Sequence, residues 1–230
     1  MKNKIIFFLI PVTIQLIGFF FPVPVRVFFL RKILGFSIGD NVKIGRSLIL
    51  VKNACIGDGV YIGDFTVIKG LDVLKMGRSS RIGKFNWITA FPSNSTKHFL
   101  EEVDRKTHLI IGEEAAITSR HIIDCTDSVT IGKYSTFAGF RSQILTHAID
   151  IYTNRQRSYP VKIGDYCFVG TGSIFLPGSE LPSYSVAAAG AVFTKKHDEL
   201  YGIYGGVPAT FKSKIVGDPK YFIRTKGFVN

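Results

Sequence analysis

The stretch Val161–Pro177, VKIGDYCFVGTGSIFLP, decides the fold because its apolar residues recur with a period of six. Ile163 and Val169 are each followed by glycine, and Phe175 occupies the next equivalent position. A helix repeats its buried face about every 3.6 residues and a strand about every 2. A period of six fits neither, and it indicates short extended sides that are joined by turns.

The same aliphatic-glycine pair recurs along most of the chain. Three six-residue sides would close a triangular coil of about eighteen residues, and coils would stack at about the 4.8 Å strand spacing. The aliphatic residue should point inward, and the glycine suits a tight corner or a close backbone approach. A β-sandwich would instead alternate with a period of two. The pairs are Ile38-Gly39, Ile44-Gly45, Ile56-Gly57, Ile62-Gly63, Met76-Gly77, Ile82-Gly83, Ile111-Gly112, Ile131-Gly132, Ile163-Gly164 and Val169-Gly170, and the register continues through Phe175, Leu181, Ala187 and Phe193.

Composition narrows the class of protein. The chain has 230 residues, of which 46% are hydrophobic, so it can bury a sizeable core. Its net charge of +12 suits an anionic membrane or phosphorylated ligands, whereas no RNA-binding or helix-turn-helix motif supports nucleic acid. The cysteines form no CxxC pair and are odd in number, which favours small buried thiols over disulfides or structural zinc. They are Cys55, Cys125 and Cys167.

The N-terminal segment is apolar over residues 5–30, which is long enough to span a bilayer. No signal-peptide cleavage site follows it, and a buried core helix is the alternative. Basic residues at its end, Arg31 and Lys32, favour the cytoplasmic face and anionic lipids. We predict that residues 1–35 form a kinked or re-entrant helix that associates with the cytoplasmic side of the inner or plasma membrane. The prolines that would kink it are Pro11, Pro22 and Pro24.

Two long stretches leave the repeat, residues 89–109 and residues 148–160. Long loops outside a regular scaffold tend to carry function. We expect both to project from the coils and to wall a substrate cleft, with a short helix near Phe99–Val103.

The repeat resembles that of the hexapeptide-repeat acyltransferases, which are left-handed parallel β-helices. The resemblance covers roughly residues 36–215 and implies an all-β left-handed parallel β-helix, preceded by residues 1–35 and followed by a tail at 216–230. GFRSQILTH at 139–147, IGDYCFVGTGSIFLPG at 163–178 and the later Gly206-Val207-Pro208-Ala209 are similar to the branch that acetylates sugars and surface polysaccharides. The family implies a homotrimer that binds acetyl-CoA between neighbouring subunits.

His147 is the candidate general base, because it stands where a repeat strand ends and an extra loop begins, as the family's catalytic histidine does. Histidine has an unperturbed pKa of about 6.5, so it can remove a proton from a hydroxyl at neutral pH. Asp127 would stack beside it if Ile123 and Gln143 began equivalent sides of adjacent coils. The alternatives for its partner are Asp124 and His121.

The resemblance also implies a donor groove that is lined by small residues, with lysines that meet the CoA phosphates. Coil packing is a second explanation for the small residues. The segment GGVPAT lacks the lysine that usually follows Pro-Ala in the family. The candidate donor-binding residues are Gly170, Gly172, Ala188, Ala189, Gly190, Lys195, Lys196 and Lys212.

These observations predict an acetyl-CoA-dependent O-acetyltransferase that modifies a hydroxyl of a sugar or of a surface-polysaccharide intermediate. The alternatives are an amino-sugar N-acyltransferase and a catalytically silent β-helix scaffold subunit. The carbonic anhydrases that share the fold bind zinc through three histidines. His121 and His147 are far apart in the chain with no third partner in register, so we predict no metal site.

Overall fold

The protein is described by a computed structural model, which covers residues 2–95, 97–227 and 229, with side chains from residue 10 onward.

Three parallel sheets form the three faces of a triangular β-helix, and the chain passes through faces A, B and C in turn. Face A contains β1 (Ser37–Ile38), β4 (Asn53–Ile56), β7 (Val73–Met76), β10 (His108–Ile111), β13 (Val129–Ile131), β18 (Val161–Ile163) and β21 (Glu180–Leu181). Face B contains β2 (Lys43–Ile44), β5 (Tyr61–Ile62), β8 (Arg81–Ile82), β11 (Ala116–Ile117), β14 (Thr136–Phe137), β19 (Phe168–Val169), β22 (Val186–Ala187), β24 (Gly202–Gly205) and the antiparallel β25 (Thr210–Lys214). Face C contains β3 (Leu48–Leu50), β6 (Val67–Lys69), β9 (Trp87–Thr89), β12 (Ile122–Asp124), β15 (Gln143–Ile144), β20 (Ile174–Phe175) and β23 (Val192–Phe193).

Few elements lie outside the three faces. Two helices precede the first coil, and one antiparallel hairpin interrupts the fifth. They are α1 (Lys2–Gly18), α2 (Val23–Lys32), β16 (His147–Asp150) and β17 (Arg155–Ser158), with a 3₁₀ turn at Lys220–Phe222 near the C-terminus. The expected β-helix of parallel strands is therefore present, and the left-handed sense of its winding stays a prediction from the resemblance.

The inward positions of the repeat are filled as the sequence predicts. Ile38 pairs with Ile56, and Ile163 pairs with Leu181, each eighteen residues further along the chain. Burial of this aliphatic column supplies the main driving force for folding, at about 25 cal/mol per Å² of apolar surface. All the aliphatic residues of the repeat pairs are buried: Ile38, Ile44, Ile56, Ile62, Met76, Ile82, Ile111, Ile131, Ile163 and Val169.

The glycine of each pair is needed for close approach between coils. A Cβ on Gly112 would lie 2.5 Å from the backbone nitrogen of Lys133 in the next coil, which is closer than real Cβ contacts. The left-handed backbone conformation falls two residues later instead, at the corner between faces A and B. In three coils a tyrosine occupies that position, with φ between 55° and 59°, and the rings stack on one another: Tyr134, Tyr166 and Tyr184.

Faces A and C differ on their outer surfaces. The outward residues that directly precede the inward position of the repeat are mostly polar or charged on face A, whereas on face C they are apolar apart from one glutamine. An apolar outer row is unusual on a sheet that faces water. On face A they are Ser37, Cys55, Lys75, Ile110, Thr130, Lys162 and Glu180. On face C they are Leu48, Val67, Trp87, Ile122, Gln143, Ile174 and Val192. Further along its strands, face C also has the outward polar residues Lys69 and Thr89.

The N-terminal segment forms a helical cap on the first coil. Pro22 is the N-cap of α2, and Pro24 follows in its first turn, where the missing N–H costs nothing. Pro11 lies inside α1. Val27 and Leu30 of α2 are buried in the core of the β-helix. Among the residues described, neither helix is long and apolar enough to cross a membrane.

Three details differ from expectation. Residues 148–160 are mostly a β-hairpin, because the chain pairs with itself before it rejoins face A. Phe99–Val103 forms turns and no helix, since Phe99 has a φ of 60°. Cys125 and Cys167 are buried as predicted, but Cys55 is exposed because it points outward from face A.

Candidate active site

His147 and Asp124 form the central pair of the site. His147 directly follows face C in the fifth coil, and Asp124 is the last residue of β12 in the fourth coil, so stacking brings them together. His147 Nδ1 lies 2.7 Å from Asp124 Oδ2, which is within hydrogen-bond distance. Asp124 is buried, with 8% of its surface exposed, whereas 29% of the His147 side chain is exposed. The imidazole is thus held through Nδ1, and the side chain is still partly exposed to solvent.

Four further hydrogen bonds hold the Asp124 carboxylate. Thr126 donates from its backbone N–H at 3.0 Å and from its hydroxyl at 2.6 Å to Oδ1. Thr146 donates from its backbone N–H and from its hydroxyl to Oδ2, each at 2.8 Å. Burial alone would raise the pKa of Asp124, but the hydrogen bonds from His147 and the threonines outweigh it and lower that pKa. Asp124 is therefore an ionised carboxylate at neutral pH.

This ionised partner fixes the tautomer of His147. A carboxylate oxygen only accepts hydrogen bonds, so the proton of a neutral imidazole must sit on Nδ1, which donates to Asp124. The lone pair is then on Nε2, at the other side of the ring. A ring in this state can remove a proton at Nε2, and the buried carboxylate stabilises the imidazolium that forms.

Asp127 does not contact His147, and the register explains why. Ile122, one residue earlier than Ile123, pairs with Gln143. The shift moves Asp127 past the imidazole. Its carboxylate accepts instead from the backbone N–H of Ser128 at 2.7 Å and from the hydroxyl of Ser158 at 3.1 Å. Asp127 thus anchors the base of the hairpin, and the expectation that it is the partner of His147 is wrong.

His121 is not the partner either, because its ring is enclosed at the opposite end of face C. The backbone N–H of Ser142 donates to Nδ1 at 3.2 Å, and Nε2 lies 2.9 Å from the hydroxyl of Thr118. Only 1% of His121 is exposed, and its ring packs against Phe137. Burial lowers the pKa of His121 to about 4, so the ring is neutral at pH 7 and has no free nitrogen.

Two phenylalanines from the loop at residues 89–109 flank His147. Phe91 and Phe99 each meet the imidazole edge to face, with ring centroids 5.6 Å apart in both pairs. Arg105 holds this loop: its guanidinium donates to the carbonyl oxygens of Phe91 and Thr126 at 2.7 Å and lies over the Phe99 ring. The aromatic pair restricts rotation of the ring and shields one side of it from water.

The hairpin that begins at His147 is tied to the same loop by ion pairs. Arg155 forms an ion pair with Glu101, and Arg157 Nη1 lies 3.2 Å from Glu102 Oε1. The two segments that leave the repeat are therefore joined to each other, and the expectation that they wall a substrate cleft stays a prediction. A cavity of about 380 Å³ lies beside the loop and is lined by residues 101–106, Asp127, Ser128 and Pro160, but not by His147.

The structure distributes the predicted donor residues over two corners. We name these corners by the faces that they join: corner CA, where face C leads to face A, and corner BC, where face B leads to face C. His147 lies at corner CA, and so do Lys195 and Lys196, which follow β23 in the last coil. The other donor candidates lie at or beside corner BC: Gly170, Gly172, Ala188, Ala189, Gly190 and Lys212.

The three glycines at corner BC have structural explanations, which are close packing for Gly170 and a left-handed backbone for Gly172 and Gly190. A Cβ on Gly170 would lie 2.6 Å from the backbone nitrogen of Ala189. Gly172 and Gly190 have φ near 70°, with open space where a Cβ would be. Lys212 Nζ lies beside Gly206, whereas Lys196 is paired with Glu180 and Asp198 at 3.6 and 3.5 Å.

No cluster of three side chains that could hold a metal ion exists among the residues that the structure describes.

Sequence reasoning missed five residues of the site. Thr126 and Thr146 could have been predicted from the sequence. Each lies within two residues of Asp124 or His147, and threonine hydroxyls often donate hydrogen bonds to a buried carboxylate. The loop residues could not, because their positions depend on how a long irregular segment folds back. These are Phe91, Phe99 and Arg105.

Comparison with known proteins supports the fold. No protein-family model matches the chain, and no curated protein matches it. Among solved structures, the polySia-specific acetyltransferase NeuO has a TM-score of 0.59 at 18% identity, over 79% of this chain and 76% of that one. A hexapeptide-repeat-containing acetyltransferase from Vibrio cholerae has a TM-score of 0.51 at 15% identity, over 92% of both chains.

A third similar structure is a mutant of AntD, an N-acyltransferase from Bacillus cereus, in complex with dTDP-4-amino-4,6-dideoxyglucose and coenzyme A. Its TM-score is 0.51 at 18% identity, over 80% of this chain and 86% of that one. At these identities the likeness concerns the fold. The chain therefore has the fold of the hexapeptide-repeat acetyltransferases.

Proposed function

We propose that this protein is an acetyl-CoA-dependent O-acetyltransferase that acts on a hydroxyl of a sugar or of a surface-polysaccharide intermediate. The observation that carries the proposal is the buried Asp124 carboxylate bonded to Nδ1 of the half-open His147. A silent scaffold would have no need to bury a charge behind a single imidazole, because an unpaired buried carboxylate is costly. The solved structures of similar fold, which include a polySia-specific acetyltransferase, support the reaction class.

In the proposed reaction, Nε2 of His147 removes the proton of the acceptor hydroxyl as its oxygen attacks the thioester carbonyl. The tetrahedral intermediate then collapses, the carbon–sulfur bond breaks, and the imidazolium returns the proton to the CoA thiolate. Asp124 stabilises the positive ring between the two transfers. The acetyl group moves directly from donor to acceptor, so no nucleophilic side chain is required.

We also propose that the enzyme is a homotrimer, and face C supports this. Its apolar outer row, which includes the half-exposed Trp87 and Ile122, would be covered if it faced a threefold axis. In that arrangement the two corners that flank face C meet their counterparts: corner CA of one copy lies against corner BC of the next. His147 of one copy would then share a groove with Gly170 and Lys212 of its neighbour.

A mixing experiment tests this shared site. Each parent trimer, His147→Ala or Lys212→Glu, should be weakly active. Random mixed trimers should recover about a quarter of wild-type activity, because one composite site in four has both native residues. Absence of any recovery in mixed trimers, verified by mass, would place both residues of a site on one chain.

Transfer to an amino sugar is the second candidate, since the AntD structure is that of an N-acyltransferase bound to an amino sugar nucleotide. The two functions are separated by one assay. Purified protein is given acetyl-CoA and a panel of hydroxyl and amino sugars, nucleotide sugars and glycans, and free thiol is measured. We expect a hydroxyl acceptor to stimulate release and His147→Ala to reduce that stimulation by about 10³-fold. Stimulation by amines alone would establish the second function, and no stimulation at all would favour the scaffold.

A further inference from the structure

An exposed apolar surface lies where α1 turns into α2. Phe20, at the tip of the turn, is 92% exposed, which is exceptional for a phenylalanine. Leu16, Ile17, Phe21 and Phe28 are also exposed around it, and we call these five residues the apolar tip. Singly exposed apolar residues are ordinary, but a contiguous group of this size marks an interaction surface.

The apolar tip is not needed to close the β-helix, because other residues of the same helices do so. Gln15 donates from Nε2 to the carbonyl of Ile49 at 2.9 Å and accepts from its backbone N–H at 2.7 Å. This satisfies the open edge of face C in the first coil. Val27 and Leu30 fill the end of the core. The helices are thus fixed on their inner side and present the tip on their outer side.

The charge around the apolar tip favours one kind of partner. The sequence contains no acidic residue before Asp40, and Arg31 and Lys32 end α2. Arg31 Nη2 lies 3.8 Å from Asp40 Oδ1, so the net positive charge at this end comes from Lys32. Lys32 is exposed, and Lys43 points outward from face B in the first coil. Basic residues are attracted to the surface of an anionic bilayer, and aromatic side chains suit the headgroup boundary. An apolar partner protein would not require this excess of positive charge.

We infer that the apolar tip inserts into the surface of an anionic lipid bilayer, with the basic end of α2 at the level of the headgroups. The contact is interfacial and does not require a helix to cross the bilayer. This sharpens the expectation for residues 1–35: the inner side of the segment belongs to the solenoid, and only the tip and its exposed flank belong to the membrane.

The inferred surface is separate from the candidate active site. His147 follows β15, the fifth strand of face C counted from the capped end. At about 4.8 Å per coil, it lies roughly 19 Å along the axis from the first coil. Changes at the tip should therefore leave acetyl transfer to a soluble acceptor unchanged, and the membrane inference can fail or hold independently of the proposed function.

Co-sedimentation of the full chain with vesicles tests the inference. We expect binding to phosphatidylcholine vesicles that contain 30% phosphatidylglycerol, and at least tenfold weaker binding to phosphatidylcholine alone or in high salt. The double variant Phe20→Ser/Phe28→Ser should lose at least tenfold in binding to the anionic vesicles. A matched control, Val216→Ser/Ile223→Ser, removes two exposed apolar residues from the C-terminal segment and should bind as wild type does.

Circular dichroism and thiol release with a soluble acceptor verify that each variant is folded and active. The inference is overturned if the wild type stays in the supernatant with anionic vesicles, or if the tip variant binds as well as the control. It is also overturned if, without lipid, the tip drives self-association that the tip variant abolishes, since a second copy would then be its partner.

Discussion

His121 and His147 lie at opposite ends of face C in neighbouring coils, and the two imidazoles differ in their burial and in their hydrogen-bond partners. His121 precedes β12, is enclosed, and has both ring nitrogens hydrogen-bonded to the fold. His147 follows β15, is half-open, and has one nitrogen bonded to a buried carboxylate. Burial without a countercharge makes the first imidazole inert, whereas a paired carboxylate prepares the second for proton transfer.

The largest expected effect comes from removing the open imidazole. His147→Ala should lower kcat/KM for acetyl transfer by about 10³-fold, because a positioned general base contributes about 10²- to 10⁴-fold. His108→Ala, which removes an outward histidine of face A, is the matched control and should retain near-normal turnover. Equal loss in both variants would mean that the effect is structural.

The second comparison separates the two aspartates. Asp124→Asn should lower kcat by about 10²-fold, because the amide cannot hold Nδ1–H or stabilise the imidazolium in the same way. It should also reduce stability by about 1–3 kcal/mol, since four donors from Thr126 and Thr146 lose a charged acceptor. Asp127→Asn should change kcat by less than about threefold. Steady-state kinetics of the two variants would contradict the assignment if their order were reversed.

A smaller effect is expected at Arg105, a positioning residue that acts through Phe91 and Phe99. Arg105→Lys keeps the charge but loses the planar guanidinium, which donates to several carbonyl oxygens at once. Phe91 and Phe99 should therefore be held less firmly against His147. We expect kcat/KM to fall by about tenfold while the pH dependence of the reaction stays that of wild type. Lys106→Ala, at the exposed neighbouring position, is the control. A shifted pH profile would indicate that Arg105 acts on His147 directly.

Protonation of His121 should affect the pH dependence of the free energy of unfolding and not the rate of acetyl transfer. The pKa of His121 is about 4 in the folded protein, against about 6.5 when unfolded, so only the unfolded chain takes up a proton between these values. Stability from this group is therefore complete above pH 6.5 and falls as pH drops towards 4, by about 2 kcal/mol between pH 7 and pH 5. Urea denaturation at the two pH values should reveal this loss, and His121→Gln should reduce it. An equal loss in that variant would contradict the assignment.

The comparison also explains which features could be predicted from the sequence. The coils were predictable because each buried Ile or Val repeats a local pattern, and Ile163 or Ile131 needs no knowledge of distant residues. His147 was predictable from its place between a repeat strand and an extra segment. Its partner could be narrowed to Asp127, Asp124 or His121 but not chosen among them, because the pairing of Ile122 with Gln143 decides which side chain lies beside the imidazole, and insertions obscure that register.

Other features depend on long-range packing. Phe91, Phe99 and Arg105 lie in an irregular loop whose path is set by contacts with residues far along the chain. The N-terminal segment shows the same limit: its hydropathy indicated a membrane, but the use of its inner side as a cap depends on Gln15 finding the edge of face C. Period and composition predict elements, and they do not predict which surfaces meet.

A crystal structure with bound CoA tests the central claim most directly, since it requires no knowledge of the acceptor. We predict that the thiol sulfur lies within about 4 Å of Nε2 of His147, as transfer between them requires. A CoA bound with its thiol at another corner of the β-helix, away from this imidazole, would contradict the account.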